Sequence, residues 1–302
     1  WYYFGTDGKM VTGWLKISGK WYYFDIEMAQ GSRTIDGKLY AFDKNGVWIA
    51  SGWGQDNWGD WYYVQKDGTC ATGWQKIGGT WYYFDTDGGF MFTGAWVIGS
   101  KDYFFTGSGA WVKSPANGWN SATATRTNSA GKSYKYTEWA YYQNGKSVKG
   151  WKSIGGKWYY FNANGVMATG WLTLGSTTYY LNESGAMATG WKSVNGTWFY
   201  FASSGAMQCS KWVQSSGKWY YLGANGAMQT GWLTLGSTTY YLYSSGAMAT
   251  GWVQIDGSWY CFASSGAMQT SMWVQSSGVW YYLKKDGKMA AGETVTIGST
   301  GY

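Results

Sequence analysis

Residues 151 to 170 read W-K-S-I-G-G-K-W-Y-Y-F-N-A-N-G-V-M-A-T-G, and residues 171 to 190 read W-L-T-L-G-S-T-T-Y-Y-L-N-E-S-G-A-M-A-T-G. The two lines superimpose position by position, and the same unit recurs with lead tryptophans at Trp151, Trp171, Trp191, Trp212, Trp232, Trp252 and Trp273, in steps of 20, 20, 21, 20, 20 and 21 residues. A second period lies above the first. The string W-L-T-L-G-S-T-T-Y-Y-L at Trp171 returns at Trp232, so three units form a block of 61 residues that has been duplicated. Repetition on this scale is the mark of an array rather than of a single core. Within a unit, the lead W-x-x-x and the later W-Y-Y-F/L are rich in β-formers and are separated by Gly-containing turns, the pattern of a β-hairpin followed by a connector. Strand alternation puts the first Trp and the third Tyr of W-Y-Y on one face and the middle Tyr and the next Phe or Leu on the other. A lone hairpin is marginal in water, so such units must stack and bury aromatic faces on their neighbours. The predicted fold class is all-β, a hairpin solenoid.

Working outward, units led by Trp14, Trp53 and Trp74 keep the pattern, while the one around Ile35 to Gly46 carries Leu39-Tyr40-Ala41 and the one near Ala95 carries Asp102-Tyr103-Phe104. From about Trp111 to Lys149 the period breaks, with Pro115, a Ser/Thr/Asn-rich stretch from Ser121 to Ser129, and Trp139-Ala140-Tyr141-Tyr142. The expected organisation is an N-terminal array over residues 1–110, an enlarged irregular hairpin or hinge over 111–149, and a regular array over 150–302.

Composition narrows the function. Of 302 residues, 22% are aromatic, 13% are charged, 47 are Gly and one is Pro, which does not describe an ordinary globular core. The net charge of +7 is spread over single basic residues, which gives no nucleic-acid footprint but favours approach to an anionic polymer such as a teichoic acid. Cys70, Cys209 and Cys261 are too few and too far apart for a disulfide scaffold or a zinc site. There is no histidine, which removes the commonest general base and metal ligand together. The acids Asp7, Asp43, Asp67, Asp85, Asp87 and Asp286 fall at turn positions, where bonding to their own backbone explains them. No catalytic residues, metal or cofactor are expected. The chain opens inside a motif at Trp1-Tyr2-Tyr3-Phe4, so it reads as a piece of a longer exported protein.

What remains is a regular series of indoles and phenols. Two tryptophans of one unit plus a Tyr of the next make a three-sided aromatic box, suited to a quaternary ammonium that donates no hydrogen bond and is drawn to ring faces by about 0.5–2 kcal/mol each. A sugar stacked on the same indoles is the competing ligand, and it would call for Asn, Gln, Asp or Arg beside the ring. A purely structural stalk is the third reading. The regular units place Ser, Thr, Gly and Lys around the tryptophans, which favours the cation.

The unit G-W-x-x-x-x-G-x-W-Y-Y-x-x-x-x-G-x-M-x-T-G resembles the choline-binding repeats of Gram-positive surface proteins and cell-wall hydrolases, nearly without interruption from Gly150 to Met289. The resemblance implies a left-handed solenoid with three hairpins per turn, an extracellular place on the bacterial surface, and phosphocholine of teichoic acids as partner. It also implies choline held between consecutive hairpins with a Met nearby. Carried over, the boxes are Trp14 and Trp21 with Tyr40, Trp53 and Trp61 with Tyr82, and Trp74 and Trp81 with Tyr103. In the regular half they are Trp151 and Trp158 with Tyr179, Trp191 and Trp198 with Tyr220, Trp212 and Trp219 with Tyr240, and Trp252 and Trp259 with Tyr281. Units carrying Leu39, Asp102, Thr178 and Thr239 depart from the pattern and are expected to lack a full box. The segment from Thr34 to Asp43 looks more like the related glucan-binding and clostridial toxin repeats, which keeps a glucan among the possible partners.

Overall fold

The short repeats begin as hairpins that, apart from Gly52–Gln55 with Trp61–Val64, are closed by a two-residue turn suited to the twist of the strands. In the strands Gly13–Ile17 and Lys20–Phe24 the turn is Ser18-Gly19, with φ of 49° and 83°. Positive φ at both central residues is the turn that lets paired strands twist without splaying. The ladder sets Trp14 opposite Tyr23 and Lys16 opposite Trp21. The same register recurs in Gly190–Val194 with Thr197–Phe201, where Trp191 faces Tyr200 and Ser193 faces Trp198.

The computed structural model describes residues 1–127, 132–297 and 300–301, so Asn128 and Ser129 of the Ser/Thr/Asn-rich stretch lie outside the described residues. Among the described residues there is no helix, and the strands form fourteen small sheets, thirteen of two strands and one of three. The all-β expectation holds.

The connectors do the stacking. In the Trp212 hairpin, Lys211–Ser215 with Lys218–Leu222, the chain turns back so that Met228 bridges Leu222. The Met228 N–H then donates to the carbonyl of Trp198, in the preceding hairpin, at 2.8 Å. Met248 does the same to Trp219 and Met289 to Trp259, both at 2.8 Å. Each joint is thus fixed by main chain before any side chain is considered, and it involves only sequential neighbours, as expected for a solenoid. The core runs along the line of these joints. Its members are the residues after W-Y-Y: Phe24, Phe42, Val64, Phe84, Phe105 and Phe161 in one part of the chain, and Leu181, Phe201, Leu222, Leu242, Phe262 and Leu283 in the other, all buried.

Contacts divide the chain into two units, one of Trp1–Gly170 with Glu183–Ala186, the other of Trp171–Asn182 with Met187–Tyr302. The first unit contains the longest hairpin, Gly118–Thr127 with Ser133–Gln143, to which Lys146–Ser147 adds a short third strand. Its ladder places Trp119 opposite Tyr141 and Gly118 opposite Tyr142. That is the register of the short hairpins, extended outward. The second unit holds hairpins of five-residue strands, including Gly231–Leu235 with Thr238–Leu242 and Gly251–Ile255 with Ser258–Phe262, and one shorter pair, Thr296–Ile297 with Thr300–Gly301.

The turn acids behave as sequence suggested. Asp43 Oδ1 accepts from the N–H of Asn45 at 2.8 Å, and Asp7, Asp67, Asp85 and Asp286 each cap a backbone N–H two residues on at 3.0 to 3.1 Å. Cys70, Cys209 and Cys261 are all unpaired.

Candidate functional site

The second unit shows the site in its simplest form. Trp212 lies half-buried, with Tyr221 of its own hairpin edge-on at 5.2 Å and Tyr240 of the next hairpin at 5.0 Å. Trp219 stands exposed beside it, and together with Met248, Ser264 and Ser265 these residues enclose a cavity of about 330 Å³. Trp191, Trp198, Tyr220, Met228 and Ser245 line a second, of about 250 Å³, and Trp252, Trp259, Ser276, Tyr281 and Met289 a third, of about 290 Å³. Three predicted boxes are therefore brought together. None of the lining residues carries a charge, so a cation in these cavities would meet only ring faces, a thioether and hydroxyls.

The first unit builds the same frame with other side chains. Trp53 meets Trp61 at 6.5 Å and Tyr82 at 5.1 Å, and the Met91 N–H reaches the Trp61 carbonyl at 2.7 Å. Trp14 meets Tyr40 at 5.2 Å, and Trp74 meets Trp81 at 6.3 Å and Tyr103 at 5.0 Å. In these last two the place of the methionine is taken by tryptophan. Trp48 donates its N–H to the Trp21 carbonyl at 2.8 Å and packs on Trp14 at 5.5 Å; Trp111 donates to Trp81 at 2.9 Å and packs on Trp74 at 5.4 Å. Of the remaining predicted box, Trp151 lies against Tyr160 at 5.3 Å and Trp158 is exposed, both in the first unit, whereas Tyr179 belongs to the second.

A family model described as the choline-binding repeat matches residues 1–28, 50–96, 148–189, 188–230 and 229–273, and one described as a putative cell wall binding repeat matches 273–289. The chain belongs to the choline-binding repeat family. Among solved structures, choline binding protein F from Streptococcus pneumoniae is 35% identical, with 80% of this chain and 93% of that one covered at a TM-score of 0.48. CbpJ from the same species is 30% identical, covering 93% and 100% at a TM-score of 0.46. Among curated proteins, Glucosyltransferase-S of Streptococcus mutans is 38% identical over 92 residues and Glucosyltransferase-I of Streptococcus downei 36% over 93. Each of these two matches spans 29% of this chain and 6% of the relative's length.

One aromatic box escaped the sequence reading. Trp119 meets Trp139 at 6.3 Å and Tyr159 at 5.1 Å, and the Met167 N–H donates to the Trp139 carbonyl at 2.7 Å. All elements of a box are present, in a region outside the spans matched by the repeat model apart from Tyr159 and Met167. The signal was Trp139-Ala140-Tyr141-Tyr142, which keeps the W-x-Y-Y order. It was obscured because 20 positions separate the lead Trp119 from Trp139, against 7 from Trp151 to Trp158.

Four repeats fill the corresponding place differently. At Leu39 the space is closed by Ala41, Tyr62, Val64 and Cys70, and the Tyr62 hydroxyl donates to the buried Asp56 at 2.9 Å. Burial first, and then the Asp56 carboxylate, push the Tyr62 phenol well above its ordinary pKa. At Asp102 the lead position is the buried Ala95, and the carboxylate pairs with Lys149 at 2.6 Å and accepts the Ser147 N–H at 3.2 Å. At Thr178 and Thr239 the main-chain joint survives, with Met207 and Met268 donating to the threonine carbonyls at 2.8 Å, but hydroxyls stand where the second indole would be.

Proposed function

We propose that this chain is a non-catalytic module that captures choline, presented as phosphocholine on cell-wall teichoic acids, in aromatic cages between successive hairpins. The observation that carries the reading is the trio of uncharged cavities walled by two indoles, a phenol and a methionine. A quaternary ammonium carries its charge on methyl groups and donates no hydrogen bond, so ring quadrupoles are its natural partners, at about 0.5–2 kcal/mol per ring. Individually weak sites then sum by avidity on a polymer that repeats the same group. The proposed cages are those built on Trp14, Trp53, Trp74, Trp119, Trp191, Trp212 and Trp252.

The absence of histidine from the sequence and the engagement of the turn carboxylates with backbone support a binding role without catalysis. The positive net charge suits an anionic wall polymer, and the family relationship suits an extracellular place on a bacterial surface. No helix among the described residues is long and apolar enough to cross a membrane. The organisation proposed is an array over 1–110, an enlarged hairpin over 111–149 and a regular array over 150–302. A second reading, glucan binding, is favoured by the likeness to two streptococcal glucosyltransferases.

Retention on a tertiary-amine resin separates the two. Elution by millimolar free choline and not by dextran supports the cage reading. Release by dextran alone installs the glucan, and failure to bind either leaves a structural spacer.

A further inference from the structure

The two threonine hairpins do more than lack a cage. In the second unit, the lead indoles of the cages, Trp191, Trp212 and Trp252, are half-buried, whereas Trp171 and Trp232 are 45% and 44% exposed. In place of the second indole lies a pair of hydroxyls: Thr173 Oγ1 and Thr178 Oγ1 are 3.2 Å apart, and Thr234 and Thr239, directly opposite one another in the ladder, are also 3.2 Å apart. A hydroxyl offers one donor and two acceptor positions, so each pair, after its internal bond, keeps a donor and several acceptors for a ligand. The aromatic of the following hairpin remains, Phe199 at 4.9 Å from Trp171 and Tyr260 at 5.0 Å from Trp232.

These groups suit a ligand unlike choline. A quaternary ammonium gains nothing from hydroxyl donors and loses one ring wall here. A pyranose has an apolar face of C–H groups and a rim of hydroxyls, which match an exposed indole bordered by a hydroxyl pair. Polar turns stand beside both places. Met207 packs on Gly226, next to Asn225, and Met268 on Gly287, next to Asp286. The Asp286 carboxylate is close enough to Tyr260 to add to burial in raising its phenol's pKa.

We infer that Trp171 with Thr173 and Thr178, and Trp232 with Thr234 and Thr239, are two binding places for the pyranose face of a neutral glycan. They stand alongside the choline cages whose reading is given above, and on which this assignment rests for its contrast. The module would then hold its wall by two chemistries, choline in the cages and sugar on the threonine hairpins.

The test uses the full chain in saturating choline, with maltohexaose, isomaltohexaose and chitohexaose as probes in saturation-transfer NMR, and equilibrium dialysis to count bound choline. At least one hexasaccharide should receive saturation in the presence of choline, and the paired variant Thr178→Val with Thr239→Val should abolish it while leaving the choline count unchanged. Trp171→Ala with Trp232→Ala should weaken the sugar by about two- to tenfold per site, the size of one lost stacking contact. Thr178→Trp with Thr239→Trp should lose the sugar and add two choline sites. The inference is overturned if none of the three probes binds, if choline displaces the sugar, or if binding survives the valine variant. A chain that binds hexasaccharide but no choline would refute the cage reading and leave the threonine sites standing.

Discussion

The first and second units solve the same problem with different fourth walls. In the second unit that wall is Met228, Met248 or Met289, and in two sites of the first unit it is Trp48 or Trp111. The main-chain bond beneath does not change: Met248 reaches Trp219 and Trp48 reaches Trp21, each at 2.8 Å. Nor does the seat. Met228 rests on Gly246, with φ of 82°, and Trp48 on Gly68, with φ of 83°, and neither place has room for a Cβ. Trp48 gains one further tie, its indole N–H donating to the Gly68 carbonyl at 3.2 Å. The comparison separates frame from furnishing. Backbone and glycine decide where the fourth wall stands, and the side chain placed there decides what the site attracts.

The largest expected effect comes from breaking the frame common to both units. Phe84→Ala and Leu222→Ala each empty a fully buried position and should cost about 3–5 and 2–5 kcal/mol respectively, read as lost stability in denaturant unfolding. If one is tolerated and the other not, the two units do not share a frame. Next in size, Gly68→Ala and Gly246→Ala put a side chain into a left-handed backbone and against the wall residue, for about 1–3 kcal/mol each. Equal losses would tie both kinds of wall to the same seat, whereas a loss confined to one would show that the seat serves only that wall.

The wall itself can be exchanged. Trp48→Met removes one ring from the Trp14 site and should weaken choline there by about 0.5–2 kcal/mol, with Met248→Trp giving a gain of the same order at the Trp212 site. Calorimetric titration checks both, and no change in either direction would mean that the fourth wall does not face the ligand. The smallest effect concerns Cys70, which holds the wall position at the closed Leu39 place and donates its N–H to the Leu39 carbonyl at 2.8 Å. Burial pushes its thiol up to about 12. An unfolded thiol ionises near about 8.5, so this group's contribution to stability is complete below that pH and is lost as pH rises towards 12. At pH 8.5 the half-buried Cys209 should alkylate well before Cys70, and equal rates would show that the Leu39 place opens freely.

Much of this was legible from spacing, because a solenoid of hairpins writes its contacts at a constant separation. The pairing of Trp191 and Trp198 with Tyr220 followed from the resemblance to choline-binding repeats once the 21-residue step between units had aligned them. The Trp119 box was not legible in that way. Its two indoles meet through a ladder running from Gly118 to Thr127, and a ladder can lengthen without disturbing the register at its base. Trp48 and Trp111 were missed for a different reason: in the irregular repeats the residue holding the wall is set by a main-chain bond to the previous hairpin, which no side-chain pattern records. The closed places at Leu39 and Asp102 were visible as departures, but the buried Asp56 and the Lys149 partner that fill out their surroundings come from other repeats.

The N–H that each wall residue extends to the preceding hairpin also makes every cage a seam between two repeats, and a guest in that cage touches both sides of the seam. Bound choline should therefore act as a rivet, adding to the cohesion of its own joint by an amount that grows with the logarithm of its concentration above the dissociation constant. Joints at Thr178 and Thr239 receive no such rivet from choline, whatever its concentration. Within the second unit, a pull or a protease in choline-rich surroundings would find its first opening there, so the order in which hairpins let go is written in which of them carry a second tryptophan.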